Sequence, residues 1–61
     1  MTPALREIRI AGRSIEGFAR FLLAGESDPA RRYCLEAIIQ GSAEIEEQVR
    51  VLAAAEDGAD T

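Results

Sequence analysis

"LLAGESDPARR", residues 22–32, stands nearly midway along a chain of 61 residues, between two stretches that both read as helix. It holds a stop followed by a start. Gly25 is the residue type best able to take the left-handed conformation that closes many helices. Asp28 and Pro29 then supply a capping carboxylate and a first-turn residue whose missing N–H has no helical partner to lose. The chain is therefore expected to turn at residues 25–28, between one helix over about 3–24 and a second over about 29–55.

Working outward, the first half places Leu5, Ile8, Gly12, Ile15, Ala19 and Leu22 at an alternating three-and-four spacing, widened by Ala11 and Phe18. That is the period of an amphipathic helix, and Thr2 followed by Pro3 gives it a start signal. The second half repeats the spacing at Leu35, Ile38, Ser42, Ile45, Val49 and Leu52, broadened by Ile39. The expected fold class is all-α, a two-helix antiparallel hairpin over residues 1–55, with facing residue numbers that sum to about 54. In that register Leu5 faces Val49, Ile8 meets Ile45, Ile15 meets Ile38, and Gly12 meets Ser42. Glycine inside a helix costs about 1 kcal/mol against alanine, so close backbone approach is expected at Gly12. Beyond Leu52 the pattern dissolves into "AAAEDGADT". Acidic residues at a helix C-terminus oppose the macrodipole, so the helix is expected to fray near Ala55 and residues 56–61 to form a flexible acidic tail.

A hairpin covers each seam from one side only. Burying a large apolar side chain fully is worth about 1.5–3 kcal/mol, whereas ordering each residue costs about 1.5 kcal/mol, so a solitary hairpin of this size is marginal. Ile10, Phe21, Leu23 and Val51 lie off the principal seams and add to the uncovered apolar surface. The expected remedy is a second copy, giving a homodimeric four-helix bundle, or the helices of a partner protein.

Chemistry is sparse. All seven basic residues are arginine, and the chain has neither histidine nor lysine. The commonest general base and metal ligand are thus missing, and no catalytic residue, cofactor or metal is expected. Glu44, Glu46 and Glu47 point in different directions on a helix and read as a solvated face. "AGRSIEG" lacks the lysine and the strand-to-helix setting of a phosphate loop. The one cysteine, Cys34, has no internal disulfide partner and reads as a half-buried structural thiol, with an intermolecular disulfide or a redox role as the alternatives. No secretory signal is read and no apolar run approaches the ~20 residues of a membrane span, so a cytoplasmic protein is expected.

The net charge of −4 hides an asymmetry. Residues 1–25 carry four arginines against two acids, and residues 26–61 carry three arginines against nine acids. Arg6, Arg9, Arg13 and Arg20 form a stripe along one flank of the first helix. A basic stripe can grip phosphates, but net acidity favours pairing with glutamates such as Glu36, Glu44 and Glu46. The paired seams, the Asp-containing turn and the acidic "EDGADT" end resemble in shape the plasmid repressor-of-primer family. That likeness implies a four-helix dimer that binds RNA through its first helices. The small co-chaperones of type III secretion are similar in shape too, and imply an obligate partner subunit. Neither likeness rests on a residue motif. The function expected is that of a small non-enzymatic interaction protein or regulator, acting by homodimerisation or by pairing with a partner's helices. A nucleic-acid-binding regulator is the alternative.

Overall fold

Thr2 and Asp28 open the two helices of the chain. In the computed structural model, which describes residues 1–59, α1 runs over Pro3–Ala24 and α2 over Pro29–Ala59, with no strand among the described residues. The Thr2 hydroxyl accepts the Leu5 N–H at 3.2 Å, and the Asp28 carboxylate accepts the Arg31 N–H at 2.9 Å. Each bond satisfies one of the amides that a helix start leaves without a partner. α2 continues past the fraying point expected near Ala55, so the part of the acidic tail that is described is helical. Asp60 and Thr61 lie outside the described residues.

The turn closes differently from the expectation for Gly25. Its φ is −104° and its ψ 4°, a conformation open to any residue, and no residue has a positive φ among those described. The helix ends through bonds of three-residue span, from the Gly25 N–H to the Leu22 carbonyl and from the Glu26 N–H to the Leu23 carbonyl, each 3.2 Å. Arg32 then reaches back across the turn, donating to the Leu23 and Glu26 carbonyls at 3.3 and 2.9 Å. A guanidinium at the negative end of α1 takes the place of a left-handed cap.

The seam between the helices is also displaced from the expected one. Gly12, Ala19, Ser42, Val49 and Ala53 are buried, and Leu5, Arg9, Glu16, Leu23, Leu35, Ile39 and Glu46 are half-buried beside them. Ile8, Ile15, Phe18, Leu22, Ile38, Ile45 and Leu52, expected in the seam, are exposed. The cause is size. Gly12, Ala19, Ser42 and Ala53 are small enough to be buried whole between the two backbones, whereas Leu5, Leu23, Leu35 and Ile39 at the same seam are only half covered. The long polar side chains at positions 9, 16 and 46 lie along the seam and extend towards water at its edge. Facing residue numbers sum to about 58 where Gly12 meets Glu46, while the expected partner Ser42 still borders Gly12, its carbonyl oxygen 3.8 Å from where a Cβ would stand. A Cβ at Gly12 would meet Glu46 Cγ at 3.5 Å and Ile45 Cγ2 at 3.8 Å. These are ordinary contacts, so the approach there is close but not one that demands glycine.

The two helices also mirror each other in sequence position. Leu5 and Leu35, Gly12 and Ser42, Glu16 and Glu46, and Ala19 and Val49 occupy matching places thirty residues apart, and so do Ile8 and Ile38, Ile15 and Ile45, and Leu22 and Leu52. The exposure of residues 1–22 repeats position by position over residues 31–52. An antiparallel pair with this property has a local two-fold axis normal to the plane of the helices, here passing close to Ser14 and Glu44. The molecule measures 50 × 15 × 12 Å with a radius of gyration of 14.5 Å. A globular chain of this length would have a radius of about 10.5 Å, so the fold is a single layer two helices wide.

Candidate interaction surface

The displaced seam sorts the remaining side chains into two faces. Ile8, Ile15 and Leu22 each precede a seam position of α1, namely Arg9, Glu16 and Leu23, whereas Arg6, Arg13 and Arg20 each follow one, namely Leu5, Gly12 and Ala19. The two sets therefore flank the seam on opposite sides. In α2, Ile38, Ile45 and Leu52 likewise precede Ile39, Glu46 and Ala53. Seven residues make nearly two turns, so each set of three forms a stripe along its helix. A shallow groove lined by Ile8, Ile45 and Leu52, with Leu5 and Val49 beneath, shows that both stripes open on one side of the hairpin. The six residues are between 45 % (Ile38, Ile45) and 58 % (Leu22) exposed. Phe18 and Phe21, at 71 % and 78 %, extend this surface at the outer edge of α1 beside Gly17.

The opposite side is charged. A second groove there is edged by Arg9, Arg13, Glu46, Glu47 and Arg50, with Met1, Ala43, Ala53 and Ala54 also lining it. Arg13 pairs with Glu46 across the helices at 3.4 Å, and Arg20 pairs with Glu16 one turn below it at 3.1 Å. Arg50 binds Glu47 through two nitrogens, and Arg32 lies 3.9 Å from Glu36. Of the four arginines of the expected stripe, then, two hold glutamates. Arg9 lies half in the seam with its Nε shielded from solvent and without a hydrogen-bond partner among the described residues. Of the acids expected to answer the stripe, Glu46 does so. Glu36 is taken by Arg32, and Glu44 sits at the rim of the apolar groove.

Three carboxyls are held below the usual glutamate range. For Glu16 the main cause is the hydrogen bond from Arg20, helped by a hydrogen bond with Glu46, its counterpart across the local two-fold. For Glu26 it is the Asp28 N–H, which donates to Oε1 at 3.0 Å, followed by Arg31, which donates to Oε2 at 3.0 Å. For Glu47 it is Arg50, whose own pKa is raised in return. Cys34 is exposed, not half-buried. No group of three or more potential metal ligands gathers among the described residues, and no helix there is long and apolar enough to cross a membrane.

Reading the sequence identified both the apolar stripes and the arginines, but not their division onto opposite faces. The signal was present. Small or polar residues recur at 9, 12, 16 and 19 and at 42, 46 and 53 with the same three-and-four spacing as the larger apolar ones. No protein-family model, curated protein or solved structure matches this chain.

Proposed function

We propose that the protein is a non-enzymatic helical interaction module whose apolar face is its working surface, covered in use by helices of a second chain. The observation that carries this is the pair of Ile/Leu stripes left open on one side of a hairpin whose own buried seam consists of Gly12, Ala19, Ser42, Val49 and Ala53. So small a seam excludes little apolar surface from water, and the larger side chains that could stabilise the fold are those still waiting for cover. The charged face supports the same reading over one of phosphate binding. Arg13 and Arg20 are engaged by glutamates, and a net charge of −4 repels a polyanion.

Sedimentation equilibrium and circular dichroism over one concentration series test it. Assembly beyond the single-chain mass of 6.6 kDa, or a chain that is unfolded when alone, is the expected result, since both mean that the hairpin needs cover. A fully helical monomer that persists at micromolar concentration would overturn the proposal.

A further inference from the structure

We infer that the occupant of the apolar face is a second copy of this chain, seated with both turns at the same end of the bundle so that α1 lies on α2 of the partner. This rests on the reading of that face as a helix-binding surface and specifies what binds there.

Area supports a second copy. The chain exposes 4608 Å², whereas a compact monomer of 6.6 kDa exposes about 3,900 Å². The excess, roughly 700 Å², approaches the ~800 Å² per partner of a stable interface. The shape of the face supports it too. A two-fold axis normal to the face makes the surface self-complementary whichever way the second copy is turned. With the turns at the same end, Ile15 meets Ile45 of the second copy and Ile8 meets Leu52. With the turns at opposite ends and the local axes aligned, Ile15 meets Ile15 and Ile8 meets Leu22. In both cases Ile and Leu meet only Ile and Leu, so the stripes do not choose between the two orientations.

The departures from the local symmetry choose. α1 carries four arginines against two glutamates and α2 three arginines against six acids. Turns at the same end set each α1 on an α2, positive against negative. Turns at opposite ends set like on like and bring Glu44 against Glu44 at the centre, where Ser14 would otherwise stand. Gly41 fits the same choice. It is exposed with no atom within 4 Å of where a Cβ would be, and in the same-end bundle the Phe18 ring of the second copy comes level with it.

Cys34 precedes the seam position Leu35 and so stands in the apolar face itself, whereas Ser27 is exposed in the turn, clear of that face. In the same-end bundle the two turns lie side by side, with helices packed at ~10 Å, and in the opposite-end bundle they lie at the two ends of a molecule 50 Å long. Nitroxide labelling of Ser27→Cys in a Cys34→Ser background, with pulsed dipolar spectroscopy on samples whose sedimentation mass equals that of the unlabelled protein, is expected to give a dimer with a separation below about 35 Å once the label arms are included. A dimer with a longer separation would overturn the orientation. A chain that is unfolded and free of dipolar coupling would overturn the second copy as occupant and leave the need for cover standing, whereas a folded monomer would overturn both.

Discussion

Gly25 and Gly12 show how far a single residue type can be trusted. Glycine at a helix end suggests a left-handed cap, yet α1 ends through three-residue bonds and a guanidinium supplied from nine positions on, which leaves Gly25 at φ −104°. The caps at Thr2 and Asp28 were legible because each depends on one side chain and an amide three residues away. The role of Arg32 was not, because it depends on where the chain goes after the turn. Gly25→Ala is accordingly expected to leave the melting temperature nearly unchanged, since nothing lies within 4 Å of the new methyl and no strained φ is imposed. Gly12→Ala is expected to raise stability by up to about 1 kcal/mol, the helix-propensity gain, because its methyl would make only ordinary contacts. A thermal melt followed by circular dichroism checks both, and a clear loss at either site would show a tighter backbone constraint than the structure contains.

At the scale of the helix, an alternating three-and-four spacing leaves an ambiguity of one residue. Positions 5, 8, 12, 15, 19 and 22 and positions 5, 9, 12, 16, 19 and 23 share every second member. Apolar character selects the first set, and closeness of approach selects the second. Hydrophobicity is readable in sequence, but interaxial distance is a property of the pair, so the stripes were legible while their place outside the seam was not. Ile15→Asp and Ile38→Asp are expected to abolish assembly, because each would bury an unpaired carboxylate beneath the second chain. Sedimentation of both variants at the concentration where the parent assembles is the check, and retained assembly by both would remove the stripes from the interface. The glutamates bear on the helices through pH. Glu16, Glu26 and Glu47 release their protons more readily folded than unfolded, so near pH 4 the unfolded chain binds more protons and stability rises with pH. The contribution is present above the ordinary glutamate range and is lost as pH falls through the lowered folded values. Melting temperature is expected to drop below about pH 4.5, and Glu26→Gln to flatten that drop by removing one of the three groups.

For the whole molecule, the hairpin and its need for cover follow from chain length and periodicity, whereas the choice of face depends on the seam that is used up first. The arginines make that choice measurable. If Arg13 and Arg20 serve Glu46 and Glu16, then Arg13→Ala with Arg20→Ala is expected to cost no more than about 1 kcal/mol per exposed pair, seen as a modest shift in chemical denaturation. The same variant is expected to show no change in nucleic-acid affinity, because tight binding at physiological salt is not expected of the parent. A steeply salt-dependent affinity for RNA or DNA that disappears in the variant would reassign the charged face. The matching burial pattern of the two helices has one more consequence, which concerns connectivity. Met1 and Asp57 line the same groove, so Met1 and the last described turns of α2 lie side by side. Joining the ends with a short flexible linker and opening the chain at Ser27 would give a circular permutant in which the second helix comes first, packed on the same seam. It is expected to fold to the same helical content with a lower melting temperature, and the deficit would measure what the Glu26, Asp28 and Arg32 bonds contribute by tethering one helix to the other.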